Sequence, residues 1–304
     1  MLVALTIEIV EVGPRDGLQN EALLVSTADK VELLHRCIAA GARQIEIASL
    51  INPRKVPQMA DAEAVVEALG RPAGVTRIGL VLNQRGAERA LAAGVDQLGA
   101  VAVASDTFGV RNQGQDSAQS VDEAKAIIAL AKAAGRSAQV TIATAFGCPF
   151  EGEIDPAHVV AMARKLAEAG PCEVALADTI GVAVPAQVTA LVAAVRQAVA
   201  PLPVRAHFHD TRNTGVANAW AAVEAGAATV DASLGGLGGC PFAPGAAGNV
   251  ATEDVAYLFA RSGIATGLDL DRLLEASHWL SGIMGKALPS SLAKAVPFPP
   301  QALA

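Results

Sequence analysis

The chain has 304 residues, of which 52% are hydrophobic and only 3% aromatic, and its formal net charge is −7. Acidic and basic residues are interspersed, which excludes the basic stripe expected of a nucleic-acid-binding protein. The four cysteines lie far apart without a CxxC pair, so we expect no disulfide framework and a reducing compartment. No apolar run reaches the roughly 18 residues of a membrane span, and no basic leader precedes the first strand. We therefore expect a soluble, cytoplasmic protein with no membrane partner.

Short apolar runs alternate with Ala-rich amphipathic stretches along the whole chain. The predicted strands are 7–13, 44–49, 77–82, 97–105, 139–144, 173–178, 204–210 and 229–234. The helical stretches between them include 27–40, 121–134, 156–169 and 185–199. Eight strand–helix units predict a (β/α)8 barrel, with residues 1–304 as one catalytic domain and 270–304 as its C-terminal helix and tail. An open doubly wound sheet is the alternative, weakened because no GxGxxG follows the first strand.

Polar residues gather at the ends of the predicted strands, where barrel enzymes assemble their active sites. His207 and His209 are two residues apart on the seventh strand, so their imidazoles face the same side. Closure of the barrel would bring Asp16 and Asn249 to the same place. The alternative for an isolated His-x-His pair is structural hydrogen bonding in the core. An oxygen- and nitrogen-rich site without thiolate favours Mg²⁺ or Mn²⁺ over structural Zn²⁺.

Two further residues are predicted to act in catalysis. Arg15 would place a permanent guanidinium beside Asp16, suited to stabilising a developing enolate oxygen. Its alternative is an ordinary ion pair at the end of the barrel. Cys240 follows the Gly-rich segment 235–239, where a mobile loop would let its thiol protonate a carbanion. The alternative for a lone cysteine is a small apolar filler.

Polar residues near the same strand ends are predicted to contact substrate or to support the ligands. They are Gln19, Glu46, Ser49, Asp178 and Thr179. Glu46 and Asp178 would orient a ligand histidine or an arginine, or would serve only as buried structural groups.

Six motifs occur in order along nearly the whole chain. They are VGPRDGLQNE (12–21), VPQM (56–59), GCPFEG (147–152), ADTIG (177–181), HFHDT (207–211) and GLGGCPFA (236–243). Together they resemble the hydroxymethylglutaryl-CoA lyase family. That family cleaves hydroxymethylglutaryl-CoA to acetoacetate and acetyl-CoA with Mg²⁺ or Mn²⁺. The resemblance therefore implies an acyl-CoA substrate, and also a homodimer or higher homo-oligomer.

The resemblance also assigns roles to individual residues. The implied metal ligands are Asp16, His207, His209 and Asn249. The implied reaction removes the substrate hydroxyl proton beside Asp16 and His207 and breaks the C2–C3 bond. Arg15 then holds the thioester enolate, which Cys240 or a water that it orders protonates. Arg111 and Asn112, after the fourth strand, match a basic residue followed by Asn, so we predict that Arg111 meets a coenzyme A phosphate.

Departures from the family pattern leave the acyl group open. The family commonly continues Tyr-Gly-Gln after HxHDT, where this chain has Arg212-Asn213-Thr214. Ala48 and Leu50 replace Thr and Phe of the second-strand motif, and we expect these changes to alter the acyl pocket. The alternative substrates are citramalyl-CoA and an isoprenoid-derived hydroxyglutaryl-CoA. A condensing synthase is disfavoured because such proteins are usually longer, and a non-catalytic barrel because every implied ligand is present.

Overall fold

The computed structural model describes residues 6–239, 248–296 and 298. Within these ranges eight parallel strands close into a barrel, each paired with the next and the eighth paired with the first. The strands are β1 Glu8–Glu11, β2 Gln44–Ser49, β3 Thr76–Val81, β4 Gln97–Val103, β5 Ser137–Ala143, β6 Val174–Asp178, β7 Val204–Phe208 and β8 Thr229–Ala232. The predicted (β/α)8 barrel is confirmed.

Helices cover the outside of the barrel and continue beyond its last strand. They are α1 Thr27–Ala39, α2 Ala62–Leu69, α3 Gln84–Ala93, α4 Asp106–Gln113, α5 Ser117–Ala133, α6 Pro156–Ala167, α7 Pro185–Val199, α8 Gly215–Glu224, α9 Thr252–Arg261 and α10 Leu270–Met284. The predicted C-terminal helix is α10, which packs on α1 and α9. No helix among the described residues is both long and apolar enough to cross a membrane.

Several strands end earlier than the apolar pattern predicts. The first strand stops at Glu11, because the chain turns at once into the π-helical turn Gly13–Gly17. The seventh stops at Phe208, after which His209 forms an isolated bridge with Asn249. Arg15, Asp16 and His209 therefore lie just beyond the strands, at the C-terminal end of the barrel, whereas His207 lies on β7 itself.

The barrel interior differs from the usual filling of branched apolar side chains. Val10, Val12 and Ile78 form a small separate apolar cluster. Buried Arg205 on β7 and Asp231 on β8 contact each other through an ion pair. Most of the hydrophobic core lies instead in one large cluster between the strands and the helices. The interior is thus partly charged immediately below the C-terminal end.

Candidate active site

Asp16, His207 and His209 meet at the C-terminal end of the barrel, as the sequence predicts. The Asp16 carboxylate oxygen Oδ2 lies 3.9 Å from Nε2 of each histidine. Each of the three residues offers one ligand atom, and these three atoms all lie within 4.8 Å of one another. The two imidazole rings have centroids 5.2 Å apart, as expected for side chains two residues apart. Three donors at this spacing can share one cation.

The turn after β1 presents Asp16 to the histidines. Within it, the amides of Arg15, Asp16 and Gly17 all donate to the carbonyl of Val12, at 2.7–3.2 Å. The buried carboxylate of Glu11 also accepts a hydrogen bond from the amide of Gly13, at 2.7 Å. These bonds fix a tight turn that projects two successive charged side chains over the barrel.

Asp231 holds the ring of His207 in place. Its Oδ2 lies 3.0 Å from Nδ1 of His207, which leaves Nε2 directed at Asp16. A carboxylate bonded to the distal nitrogen is the usual support of a metal-binding histidine. Burial lowers the pKa of His207, but the hydrogen bond and charge of Asp231, together with Asp16, raise it overall.

His209 and Asp16 have the protonation states that a cation requires. Burial, assisted by the neighbouring His207, lowers the pKa of His209 to about 4, so its imidazole is neutral at pH 7. Burial tends to raise the pKa of Asp16, but the charge of Arg15, together with His207 and a hydrogen bond from Asn249, holds it well below its ordinary value. Metal ligands must be deprotonated, so both groups are ready to coordinate.

Unsatisfied polar atoms and the local charge also fit a divalent cation. Among the described residues, the buried atoms Nδ1 of His209 and Oδ1 of Asn249 have no hydrogen-bond partner. Six buried or partly buried charged side chains contact one another here. They are Arg15, Asp16, Glu46, Glu173, Arg205 and Asp231. With the carboxyl groups ionised, two cations face four anions, and a divalent ion would balance the remaining charge.

Arg15 is clamped between two carboxylates. Its Nε donates to Oε2 of Glu46 at 2.8 Å, and its Nη1 donates to Oδ1 of Asp16 at 2.6 Å. Burial lowers the pKa of Arg15, but the charges of Asp16 and Glu46 more than compensate and raise it. Glu46 therefore orients Arg15, one of the two roles expected for it.

Gln19 and Ser49 form a neighbouring polar pair. Ser49 donates from Oγ to Oε1 of Gln19 at 3.1 Å. Ser49 and Glu46 are three residues apart on β2, a spacing that would place them on opposite faces of a regular strand. The pairing of β2 with β3 shifts between Glu46 and Ala48, and such a bulge re-aims side chains. This irregularity lets Glu46 contact Arg15 in the turn after β1 and Ser49 contact Gln19 just beyond that turn.

Asp178 and Thr179 support loops. The carboxylate of Asp178 accepts hydrogen bonds from the amides of Val182 and Ala183, at 2.9 and 3.0 Å. The hydroxyl of Thr179 accepts from the amide of Thr144 at 2.8 Å. The hydrogen bonds of Asp178 thus agree with a structural role. Burial raises the pKa of Asp178, although these hydrogen bonds and the charge of His207 oppose the rise.

Arg111 lies on α4, and its guanidinium stacks over the ring of Phe150, 4.2 Å from the centroid. Phe150 belongs to the loop after β5, in which Glu151 accepts a hydrogen bond from the amide of Thr107 at 2.6 Å. Arg111 is exposed and Asn112 half-buried. The segments after β4 and β5 therefore contact each other at the rim of the barrel. None of these contacts involves His207 or His209.

Cys240, the predicted acid, lies outside the described residues. Cys148, in the loop after β5, is buried with its Sγ 2.9 Å from Oγ of Ser105. The neighbouring Gly238 approaches Asn249 so closely that a Cβ there would collide with Nδ2 of that residue. The start of the Gly-rich segment therefore packs against the cluster.

Two substitutions that we expect to alter the acyl pocket are buried in the hydrophobic core. Ala48 and Leu50 are buried in the cluster between strands and helices, and Leu50 packs against Gly79 together with Val95. The effect of these two substitutions on the acyl pocket stays a prediction. Arg212 does lie near the C-terminal end, where its Nη1 donates to the carbonyls of Ile180 and Gly181.

Sequence reasoning missed four buried charged residues that support the site. They are Glu11, Glu173, Arg205 and Asp231. A signal did exist for Arg205, because it is two residues before His207 and must share its face. Asp231 is likewise a single charge within an apolar strand. Charged residues are seldom fully buried unless paired, so each required a partner.

The fold and these contacts define a (β/α)8-barrel enzyme in which three side chains that can hold a cation lie beside a buried arginine. The chain belongs to the HMGL-like family, whose model matches residues 6–280. This confirms the predicted class, a lyase. An (R)-citramalyl-CoA lyase of Chloroflexus aurantiacus is 44% identical over 97% of this chain and 96% of that protein. A hydroxymethylglutaryl-CoA lyase of Bacillus subtilis is 39% identical over 93% of this chain and 95% of that protein.

Solved structures agree with the sequence relatives. An HMG-CoA lyase from Acinetobacter baumannii, in complex with coenzyme A and 3-methylmalate, superposes with a TM-score of 0.94 at 38% identity. The match covers 100% of this chain and 99% of that chain.

Proposed function

We propose that the protein is a divalent-metal-dependent lyase that cleaves 3-hydroxy-3-methylglutaryl-CoA to acetoacetate and acetyl-CoA. The observation that carries this proposal is the cluster of Asp16, His207 and His209 beside Arg15. Relatives of nearly full length that act on such thioesters support the substrate class. We further propose one Mg²⁺ or Mn²⁺ per subunit, with Asn249 as an additional ligand.

Cleavage of the C2–C3 bond requires a group that stabilises the departing electron pair and a base that removes the hydroxyl proton. A bound cation would supply Lewis-acid stabilisation of the substrate hydroxyl oxygen as its proton leaves. That proton passes to a base beside Asp16 and His207, and the O–H electron pair forms the new carbonyl. The C2–C3 bond breaks, and its electron pair moves into the thioester as an enolate. Protonation of C2 then completes acetyl-CoA, with Cys240 or a water that it orders as the proposed donor.

Arg15 stabilises the charge that develops on the enolate oxygen. Its contacts with Glu46 and Asp16 hold the guanidinium before the substrate arrives, so no reorganisation is needed during the reaction. Replacing Arg15 by Ala should lower kcat by about 10²–10³-fold while leaving the fold intact. Arg89→Ala is the control, because Arg89 pairs with Glu63 on the outer helices. A folded Arg15→Ala enzyme of full activity would refute the assignment.

Citramalyl-CoA is the second candidate substrate, favoured by the relative of 44% identity. Its carboxylate is one methylene closer to the carbinol carbon, and the same bond cleavage releases pyruvate in place of acetoacetate. One methylene in a pocket changes kcat/KM by about 10–200-fold. A panel of these two thioesters and an isoprenoid-derived hydroxyglutaryl-CoA, assayed for acetyl-CoA and the second product, separates the candidates.

Arg111 is proposed to bind a phosphate of coenzyme A, with Asn112 beside it. It is an exposed cation whose stacking on Phe150 keeps it at the rim. Arg111→Ala should raise KM for the acyl-CoA and weaken its dependence on salt, with little change for the acyl-pantetheine thioester. Equal affinity of the variant and the wild type for acyl-CoA would end this proposal.

The remaining proposals concern the state of the protein. We propose a cytoplasmic enzyme that assembles as a homodimer or higher homo-oligomer, with residues 1–304 acting as one catalytic domain. Sedimentation equilibrium at micromolar concentration tests the assembly, because a monomer mass would contradict it.

A further inference from the structure

Arg205 is a buried cation directly below the predicted metal site. It lies on β7 two residues before His207, so both side chains point into the barrel. Its side chain has 0% exposure. Burying a guanidinium is costly unless partners satisfy its charge and its donors.

Three carboxylates surround the Arg205 guanidinium, each reached from a different nitrogen. Nε donates to Oδ1 of Asp231, Nη1 lies 3.3 Å from Oε1 of Glu173, and Nη2 lies 3.5 Å from Oε1 of Glu46. Burial lowers the pKa of Arg205, but these carboxylates raise it above its ordinary value. The side chain is therefore a permanent cation with fixed neighbours.

Two of these carboxylates use their second oxygen on a residue of the site. Oδ2 of Asp231 lies 3.0 Å from Nδ1 of His207, and Oε2 of Glu46 accepts from Nε of Arg15 at 2.8 Å. His207 and Arg15 in turn both face Asp16, at 3.9 and 2.6 Å. The contacts thus form a closed circuit in which each of six residues contacts the next.

We call this circuit the charge ring; its members are Arg205, Asp231, His207, Asp16, Arg15 and Glu46. We propose that Arg205 is a positioning residue that fixes the cation-binding His207 and the enolate-binding Arg15 relative to each other, through Asp231 and Glu46. The part of this inference that concerns Arg15 rests on the proposed function, whereas the part that concerns His207 predicts cation binding alone.

The geometry requires arginine at this position. A planar guanidinium presents donors in several fixed directions, so one side chain can hold Asp231 and Glu46 at a set separation. A lysine ammonium is a single point charge on a flexible chain and would keep the charge while releasing one of the two carboxylates. Arg205→Lys therefore separates positioning from charge balance.

The experiment compares Arg205→Lys with wild type in three measurements: the dissociation constant for Mn²⁺, kcat and KM for the thioester, and thermal stability. We expect about 10–100-fold weaker Mn²⁺ binding and a similar fall in kcat, because supporting residues contribute on this scale. KM should change less than threefold. The Mn²⁺ measurement uses the metal alone, so it tests Arg205 even if none of the thioesters is a substrate.

Arg77→Lys is the matched control. Arg77 is also a buried arginine, 2% exposed, but it pairs with Asp96 and the carbonyls of Gly70 and Gly94 on the outer side of β3. It should lose thermal stability while its Mn²⁺ affinity and kcat stay within twofold of wild type. A purely structural Arg205 would give that same result, and the proposal would then be wrong.

A second variant covers a folding failure of Arg205→Lys. Arg205→Met combined with Glu173→Gln removes one positive and one negative charge, so the buried network keeps its balance. We expect this double variant to fold, with Mn²⁺ affinity and kcat both reduced at least tenfold. Wild-type values in the folded double variant, or loss of folding in both variants, would overturn the proposal.

Discussion

Asp16 and Asn249 are joined by a hydrogen bond of 2.8 Å from Nδ2 to Oδ2, although 233 residues separate them in the sequence. The same Nδ2 also donates to the carbonyl of Leu237 at 3.1 Å. The amide oxygen Oδ1 is buried and has no partner within the described part of the chain. The side chain is thus locked with an unused acceptor beside the carboxylate.

Asn249→Ala should weaken Mn²⁺ binding by about tenfold or more, because it removes both that acceptor and the hydrogen bond that holds Asp16. Calorimetric titration of metal-free protein with Mn²⁺ measures this. Asn218→Ala is the control. Asn218, on α8, is also a buried amide, and it donates to the carbonyl of Ala183 at 2.9 Å. Unchanged Mn²⁺ affinity in the Asn249 variant would exclude it as a ligand or as a support for Asp16.

Gly238→Ala should also lower Mn²⁺ affinity. Gly238 has a φ of +120°, a conformation that disfavours any Cβ, and a Cβ would collide with Nδ2 of Asn249. At Gly239 a Cβ would meet no described atom within 4 Å. We expect at least fivefold weaker binding for Gly238→Ala and less than twofold for Gly239→Ala. Equal effects of the two variants would show that loop flexibility, not contact with Asn249, is responsible.

Asp231→Asn should disturb His207. The replacement leaves an amide where Nδ1 of His207 and Nε of Arg205 each contact a carboxylate oxygen. The imidazole of His207 therefore loses its fixed orientation. Mn²⁺ affinity or kcat should fall by about 10–100-fold. Asp254→Asn serves for comparison, because Asp254 accepts three hydrogen bonds from residues 290–292. A site that tolerates Asp231→Asn as well as Asp254→Asn would contradict the role of Asp231.

Glu11 should make stability depend on pH. Burial raises its pKa to about 7, although hydrogen bonds from Leu234, Thr252 and Gly13 oppose the rise. The folded protein therefore binds the Glu11 proton more tightly than the unfolded chain, whose value is near 4.5. The resulting stabilisation is complete below pH 4.5 and is lost as the pH rises through 7.

Glu11→Gln removes this dependence, because an amide does not titrate in this pH range. Its oxygen can still accept hydrogen bonds from the backbone N–H groups of Gly13 and Leu234. The free energy of unfolding of wild type relative to the variant should fall by about 1–3 kcal/mol between pH 5 and pH 8. Urea unfolding across that range measures it, with Glu253→Gln examined in parallel because burial also raises the pKa of Glu253. A difference between wild type and Glu11→Gln that does not vary with pH would contradict the assignment.

The fold was largely predictable because its apolar periodicity is strong. The second strand and the helix 185–199 end where the pattern predicts. Strand ends were less predictable, since an apolar run does not separate the last paired residue from a turn such as Gly13–Gly17. The fifth helix begins at Ser117, before the predicted residue 121, because Asp116 and Gln119 form a capping box.

The meeting of Asp16 with the two histidines was predictable from the two-residue period and from barrel closure. The supporting residues were not, because their contacts join distant strands. Arg205 and Glu46 are 159 residues apart, and periodicity alone gives only the face of each. The bulge after Glu46 likewise depends on pairing with β3.

The most direct test is the rate of acetyl-CoA release from 3-hydroxy-3-methylglutaryl-CoA by metal-stripped protein, titrated with Mn²⁺. We expect no release without metal and a rise to a plateau at one equivalent of Mn²⁺ per chain. His209→Ala, which lacks one imidazole of the cluster, should need a much higher Mn²⁺ concentration to reach its plateau. Full activity of the stripped wild-type protein in the presence of chelator would contradict the central claim.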